Sequence, residues 1–272
     1  MSIHKLTPLA LPLLLSACSH SVFAEGCLHE APRDASVAVE GAKNIRVVAG
    51  AGSLDIVGKA GMSAVQARGT ACAAMESQLD GIRLIAERRG DTLWIESVFD
   101  EGLNFDNRGL SFTVELPDSL PLEVEDGSGS LEINNVAALD LTDGSGEATI
   151  SGVHGDLTVN DGSGGLEISD VHGPARIEDG SGSLTVRNVQ GQVDIEDGSG
   201  SLDIDHINGD LAVQDGSGGV SLQNVVGSVR VRDGSGGIGV DEVEGDLTIA
   251  EAGSGGVNVN NISGRVDIPK ER

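Results

Sequence analysis

Seven aspartates recur along the second half of the chain, each at the start of the tetrapeptide Asp-Gly-Ser-Gly. They are Asp126, Asp143, Asp161, Asp179, Asp197, Asp215 and Asp233. The first step is 17 residues and every later step is 18 residues. Residues that recur at a fixed period of this size lie above one another when each repeat forms one structural unit. The sequence therefore predicts a ladder of seven carboxylates.

Two kinds of chemistry are open to such a ladder. An aspartate at the start of a tight turn accepts a hydrogen bond from a backbone N–H two residues ahead, and each side chain would then face solvent. Alternatively, a divalent cation such as Ca²⁺ would bridge neighbouring carboxylates and offset their repulsion. The calcium-binding nonapeptide repeat places its Asp after the glycines, whereas this chain places it before them. We favour the turn-capping role and keep the Ca²⁺ ladder as the alternative.

Serine and histidine also recur at fixed positions. A serine stands third in all eight corners, at Ser128, Ser145, Ser163, Ser181, Ser199, Ser217, Ser235 and Ser254. Eight equivalent hydroxyls without a repeated histidine base indicate a hydrogen-bonded ladder that satisfies backbone groups, not a nucleophile. His154 and His172 share one repeat position and should stack one coil apart, but without a third ligand we interpret them as solvent-facing turn residues. We predict no catalytic residue and no cofactor.

The repeat that positions these residues has the pattern of two short strands. In the unit that begins at Asp197, Leu202 and Ile204 alternate with polar residues, as do Leu211 and Val213. Alternation of this kind buries one face of a strand. The glycine that follows the intervening corner is expected to turn the chain with positive φ. We predict an all-β fold, a parallel β-solenoid of about eight 18-residue coils with right-handed connections.

The chain divides into three predicted regions: a signal peptide (1–24), an N-terminal β cap (25–125) and the solenoid (126–272). Candidate strands in the cap are 36–40, 44–48, 53–57, 82–87, 92–97, 111–115 and 122–125, with a loop or short helix at 73–79. Residues 51–56 look like a degenerate copy of the repeat. The cap also holds Trp94, Phe99, Phe105 and Phe112, which would form either a specific site or a hydrophobic plug.

The amino terminus and the cysteines indicate export. Lys5, an apolar stretch and Val22-Phe23-Ala24 match a signal peptide cleaved before Glu25. Alternatively, Leu15-Ser16-Ala17-Cys18 resembles a lipobox, in which Cys18 would carry a lipid anchor. The remaining pair, Cys27 and Cys72, is expected to form a disulfide in an oxidising compartment. The predicted location is the periplasm, the outer membrane or the cell surface.

The charge of the chain limits its partners. It contains 43 acidic and 17 basic residues, a formal net charge of −26. Phosphate binding depends on Lys and Arg, so nucleic acid is excluded as a partner. Beyond the signal segment no stretch is apolar and long enough to form a transmembrane helix. The expected partner is an envelope or surface ligand of unknown identity.

One stretch resembles a known family. Residues 112–117 (Phe-Thr-Val-Glu-Leu-Pro) and 122–125 (Leu-Glu-Val-Glu) run directly into the first Gly-Ser-Gly and its repeats. This pattern resembles the bacterial adhesin-type β-strand-repeat family, a family of unknown function related to the head domains of autotransporter adhesins. The resemblance covers about residues 36–268 and implies an exported all-β stack without established catalytic residues. We therefore expect a non-enzymatic structural or binding module of the cell envelope, with a Ca²⁺-responsive envelope protein as the alternative.

Overall fold

The structure is a computed structural model that describes residues 27–100 and 108–268. Within these residues the chain forms 23 strands and one 3-10 helix, Glu76–Gly81. The strands are β1 (His29–Ala38), β2 (Asn44–Ala51), β3 (Leu54–Lys59), β4 (Ala64–Ala73), β5 (Ile82–Arg89), β6 (Thr92–Phe99), β7 (Gly109–Pro117), β8 (Leu122–Val136), β9 (Leu139–Asp143), β10 (Gly146–Val153), β11 (Leu157–Asp161), β12 (Gly164–Val171), β13 (Ala175–Asp179), β14 (Gly182–Val189), β15 (Val193–Asp197), β16 (Gly200–Ile207), β17 (Leu211–Asp215), β18 (Gly218–Val225), β19 (Val229–Asp233), β20 (Gly236–Val243), β21 (Leu247–Glu251), β22 (Val257–Ile262) and β23 (Val266–Asp267). None of these residues forms a helix of the length and hydropathy needed to span a bilayer. The signal segment and Cys18 lie outside the described residues.

Each 18-residue repeat forms one coil with a strand in each of two sheets. Sheet A contains the second half of β8 and β10, β12, β14, β16, β18, β20 and β22. Sheet B contains the first half of β8 and the odd-numbered strands from β9 to β23. Every strand pairs in parallel with the equivalent strand of the next coil, so Leu202 lies beside Leu184 on one side and Val220 on the other. The predicted parallel solenoid of about eight coils is confirmed, and its handedness stays a prediction.

The core lies between the two sheets and is aliphatic. In the coil that begins at Asp197, the side chains of Leu202, Ile204 and Ile207 are buried from sheet A and its corner, and those of Leu211 and Val213 are buried from sheet B. The equivalent positions of the other coils are buried in the same way. Branched aliphatic residues suit this arrangement because they pack well on a pleated surface.

The coils in the first half of the chain are not stacked in chain order. Strands β2 and β3 form a coil that lies between β8 on one side and the coil of β6 and β7 on the other. Ile45, for example, pairs with both Leu93 and Leu122. Residues 51–56 therefore occupy a true coil, as the degenerate repeat predicted. The rod extends through two further coils beyond β8.

Three antiparallel strands close the N-terminal end of the rod. Strand β5 pairs with β6 on sheet B, β4 pairs with β7 on sheet A, and β1 pairs with β4. Strand β4 was not predicted, because its sequence, Ala-Val-Gln-Ala-Arg-Gly-Thr-Ala-Cys-Ala, has small residues where most strands carry branched ones. The predicted helix near residues 73–79 is the 3-10 helix. Cys27 and Cys72 form the expected disulfide, with Cα atoms 5.6 Å apart, and join the start of β1 to β4.

The corner that follows each sheet A strand has an unexpected conformation. The glycine after this corner does not have positive φ. The left-handed residue instead stands just before the buried Val or Ile at the end of the sheet A strand, as His206 stands before Ile207. It is Asn135, Asp170, Asn188, His206, Asn224, Glu242 or Asn261, with φ between 51° and 59°, and Gly152 in one coil. The predicted role of the corner glycines is therefore wrong. Gly209 is required because a Cβ there would collide with the backbone of Gly191 one coil earlier.

Candidate functional site

The seven aspartates form a column inside the rod, which we call the Asp column. Each lies two positions after a buried aliphatic residue of sheet B, so the strand turns its side chain into the core; six of them end their strands, and Asp126 lies within β8. Asp126, Asp143, Asp161, Asp179, Asp197, Asp215 and Asp233 are only 1–5% exposed. The prediction that these carboxylates face solvent is wrong, because the alternation that buries Leu157 and Val159 also buries Asp161.

The turn-capping role is nevertheless confirmed in several coils. The backbone N–H of Ser181 donates to Oδ1 of Asp179 over 3.1 Å, and Ser199 and Ser217 donate in the same way to Asp197 and Asp215, each over 3.0 Å. This bond uses one carboxylate oxygen. The second oxygen, Oδ2 in Asp179, Asp197 and Asp215, is buried and makes no hydrogen bond. Burial of a charged oxygen without a partner is costly, so the protonation of the column must differ from that of ordinary aspartates.

The electrostatics of the column reflect burial first and repulsion second. Burial and the charge of Asp143 raise the pKa of Asp126 to about 7. Burial and neighbouring aspartates also raise the pKa of Asp143, Asp179 and Asp215 to about 6. Burial raises the pKa of the other three column members, Asp161, Asp197 and Asp233. After burial, the charges of Asp197 and Asp161 on the two adjacent coils raise the pKa of Asp179. One proton shared between neighbouring carboxyls would relieve this repulsion.

Alanine ends the column in both directions. Ala49 of β2 occupies the position beside Asp126 in sheet B. At the other end a bulge between Val231 and Arg232 shifts the register, and Ala252 takes the place of Asp in the last corner and packs against the core. The column is thus a bounded row of carboxyls with aliphatic neighbours above and below.

The described residues contain no preformed metal centre. In residues 27–100 and 108–268 no group of three or more His, Cys, Asp or Glu side chains is placed to hold a metal ion. Neighbouring column members contribute at most two carboxyls to any one point, and Ca²⁺ takes six to eight oxygen ligands. The Ca²⁺ alternative gains no support from this geometry and stays a prediction.

The corner itself is held by backbone groups. The N–H of the first glycine donates to the Asp carbonyl of the preceding coil, as Gly198 does to Asp179 over 2.8 Å, and the N–H of the second glycine donates to the serine carbonyl of the following coil, as Gly200 does to Ser217 over 2.9 Å. Among described residues the eight corner serine hydroxyls make no hydrogen bond. The predicted serine hydroxyl ladder is therefore wrong, because the backbone already satisfies itself.

Comparison with known proteins places this architecture in a family. The sequence profile described as Toastrack DUF4097 matches residues 85–225, which is more than half of the 272-residue chain. The chain belongs to the Toastrack DUF4097 family. The matched segment begins within β5 and ends with β18, so from Asp126 onward it covers five complete coils of the Toastrack rod and the first strand of a sixth.

The solved structures that match this chain have low sequence identity to it. A "putative adhesin" from Bacteroides fragilis is 13% identical, with a TM-score of 0.41 over 89% of this chain and 98% of its own. A "putative lipid binding protein" from Parabacteroides distasonis is 15% identical, with a TM-score of 0.42 over 88% and 97%. A "putative cell adhesion protein" from Clostridium sporogenes is 13% identical, with a TM-score of 0.35 over 85% and 99%. Comparison with curated proteins finds no match.

The other predicted candidates are divided between the surface and the core of this Toastrack protein. His154 and His172 stack as predicted, with ring centroids 5.6 Å apart, and both are exposed. Phe112 is buried in the core of the cap, whereas Trp94 lies on the outer face of sheet B. The guanidinium carbons of Arg46 and Arg89 lie 4.9 Å and 4.3 Å from a Trp94 ring centroid. Phe105 is outside the described residues.

Two arginines on the rod were missed by the sequence reasoning. Arg230 and Arg232 alternate with buried residues on β19, so both guanidinium groups point outward from sheet B and are exposed. Their neighbours on the adjacent coils are Ala212 and Thr248 beside Arg230, and Gln214 and the exposed Glu251 beside Arg232, with which Arg232 forms no ion pair. The alternation Val-Arg-Val-Arg marked them as a pair on one face, but only the structure shows which charges surround them.

Arg230 and Arg232 differ from the other basic residues of the rod in having no partner. Arg176 pairs with Glu178, Asp194 and Glu196, Arg187 pairs with Glu167, and Arg265 pairs with Asp246. Of the five arginines between residues 126 and 268, only Arg230 and Arg232 lack both an ion pair and a side-chain hydrogen bond. Residues two apart on a strand are about 7 Å apart, so the two groups can contact one anionic ligand together.

Proposed function

We propose that this protein is a non-enzymatic, exported structural or adhesin-type binding module of the bacterial cell envelope. The export part of the proposal is supported by the disulfide between Cys27 and Cys72, since disulfides persist in oxidising compartments, and by the signal-like residues 1–24. The adhesin part is supported by the family resemblance of the sequence. The rod would act as a spacer and display surface.

The observation that carries the binding role is the unpartnered pair Arg230 and Arg232. Each guanidinium group offers donors in a fork that matches carboxylate and phosphate oxygens. The net charge of −26 repels anions at long range, but at physiological ionic strength this repulsion is screened beyond about 8 Å. Inside that distance the ligand meets the two arginines, with Glu251 as the acidic side chain beside Arg232. The proposed ligand is an acidic envelope polysaccharide that carries carboxylate groups.

The proposal is tested by measuring binding of the disulfide-bonded mature protein to polygalacturonate, with neutral dextran as the reference. We expect saturable binding to polygalacturonate alone. The variant R230Q/R232Q should bind at least about tenfold more weakly, because a charge-assisted hydrogen bond contributes about 1.5–3 kcal/mol. The matched control R176Q/R187Q removes the same charge from arginines that already have partners and should bind like the parent protein.

Three outcomes would contradict the proposal. Equal weakening in both double variants would indicate a general charge effect. Absence of binding to polygalacturonate, with binding to vesicles that contain phosphatidylglycerol, would assign the arginine pair to a lipid surface. Release of new reducing ends from the polysaccharide would show that the protein is an enzyme. Mass spectrometry of the mature amino terminus tests export separately, because it distinguishes a start at Glu25 from a lipidated Cys18.

A further inference from the structure

We propose that the Asp column holds protons in mildly acidic medium, shared between carboxyls of neighbouring coils, so that the rod is most stable there and loosens as the pH rises to neutrality and above and removes them. The column would make the Toastrack rod sensitive to the pH of its surroundings. This inference is independent of the ligand proposed for Arg230 and Arg232.

The first argument is the position of the carboxyls. All seven lie in register in sheet B, on strands about 4.8 Å apart, and are at least 95% buried. Full ionisation would place seven like charges in a row inside an aliphatic core. Repulsion between neighbours would then be several times greater than in water, since the interaction energy increases as the effective dielectric constant decreases.

The second argument is the set of unpartnered oxygens. Each column member has at least one buried oxygen without a hydrogen bond, at Asp126 Oδ1 and Oδ2, Asp143 Oδ1, Asp161 Oδ1, Asp179 Oδ2, Asp197 Oδ2, Asp215 Oδ2, and Asp233 Oδ1 and Oδ2. A protonated carboxyl gains an O–H donor, which can donate to the ionised carboxyl of the next coil. A shared proton therefore removes a charge and satisfies two oxygens at once.

The groups around the column offer no positive charge. The buried side chains that flank it along the chain are aliphatic, as Val213 and Val220 are on either side of Asp215. Outside, the groove over its middle is lined by Asn160, Glu178, Glu196 and Gln214, of which the two glutamates pair with Arg176.

At the ends of the column, Glu125 beside Asp126 pairs with Arg46, and Arg232 beside Asp233 points to the opposite face of its strand. Among the described residues, no Lys, Arg or His forms an ion pair with a column member. No basic side chain of the described residues therefore neutralises the column.

The direction of the pH effect follows from the raised pKa values. An aspartate with an ordinary unfolded pKa of 3.8 and a folded pKa of about 6, such as Asp179, binds more protons in the folded state between those two values. The free energy of unfolding therefore decreases as pH rises through this range, and it levels off only once the pH is well above the pKa of Asp126, which is about 7. Most paired carboxylates produce the opposite trend.

The experiment is a pair of titrations of the intact mature protein. Infrared spectra should show the carbonyl band of protonated carboxyl groups at pH 6 and its loss by pH 9. The melting temperature should decrease by at least about 5 °C between pH 5 and pH 8.5. The variant D179N/D215N keeps the shape and the turn acceptor without the charge, so its decrease should be smaller and its melting temperature at pH 8.5 higher than that of the parent protein.

The control variant changes an exposed aspartate outside the Asp column. Asp156 is an exposed turn residue, so D156N should retain the full pH dependence of the parent protein. A protein without a protonated carboxyl band at pH 6, or with a melting temperature that is constant or rises from pH 5 to pH 8.5, would overturn the inference. If D179N/D215N fails to fold, the infrared spectra of the parent protein still show whether the Asp column holds protons. A melting temperature raised at pH 8.5 by millimolar Ca²⁺ relative to chelator, without that band, would assign the column to a divalent cation.

Discussion

Asp161 and Asp179 lie directly beside each other on adjacent coils, with both carboxyls turned into the core and only 3% and 5% exposed. Inward-facing residues of a solenoid are normally aliphatic, as Val159 and Ile177 are in the same two strands. Burial of a carboxyl at every coil is therefore unfavourable in desolvation free energy. In exchange, the carboxyl provides a hydrogen-bond acceptor for the turn, to which, for example, the backbone N–H of Ser181 donates.

The turn acceptor gives a prediction for Asp197. Asn at this position keeps an oxygen for the backbone N–H of Ser199, whereas Ala removes the acceptor and leaves a cavity in the core. We expect D197A to lower the free energy of unfolding by about 1–3 kcal/mol more than D197N, because an unsatisfied donor bears its full desolvation cost. Urea unfolding at pH 6 measures the difference. Equal stability of the two variants would show that the Ser199 bond contributes nothing.

The corner glycines give a second prediction. Gly200 has φ of 147°, and a Cβ there would collide with the carbonyl oxygen of Gly182 one coil earlier. Because the obstacle is backbone, G200A should lower the free energy of unfolding by about 3 kcal/mol or more, or prevent folding.

The next coil contains the control for Gly200. A Cβ on Gly219 would meet no atom within 4 Å, and its φ is not positive. G219A should therefore unfold within about 0.5 kcal/mol of the parent protein, as is usual for exposed sites. Thermal melts of the two variants, recorded side by side by circular dichroism, test this. A tolerated G200A would mean that the corners are not stacked as closely as described.

The disulfide gives a third prediction, limited to the cap. Cys27 and Cys72 are 45 residues apart in sequence, and the bond holds β1 against β4. The variant C27S/C72S should lose about 2–4 kcal/mol of stability in the cap, in the chain-entropy account. Hydrogen exchange should become faster in β1 and β4 and stay unchanged in β16 and β17. A uniform change along the rod would contradict a local role.

The repeat predicted most of the rod because each coil contains its own pattern. The alternation of Leu202 and Ile204, and of Leu211 and Val213, sets the strands, and a fixed period sets the register. The same alternation places Asp215 inside, two residues after Val213. The sequence interpretation placed the Asp215 side chain in solvent because a carboxylate is usually exposed. The alternation of buried and exposed residues along the strand predicts its burial correctly.

Features that depend on contacts between distant segments could not be read from the sequence. The placement of β2 and β3 between β6–β7 and β8 depends on pairings such as Ile45 with Leu93 and with Leu122. The small residues of β4 hide its alternation. The left-handed conformation of Asn188 has a local signal, since asparagine tolerates positive φ, but Glu242 at the same position in another coil has none.

The central claim, that each 18-residue repeat is one closed coil with its aspartate inside, is tested most directly by removing one coil. Deletion of residues 198–215 joins Asp197 to Gly216 and preserves both sheets and the column. The deletion variant should melt cooperatively, and small-angle X-ray scattering should give a maximum dimension about 4.8 Å shorter. Deletion of residues 198–206, half a coil, removes a sheet A strand and should unfold the rod locally. Equal tolerance of the two deletions, or unfolding by the full-coil deletion, would contradict the account.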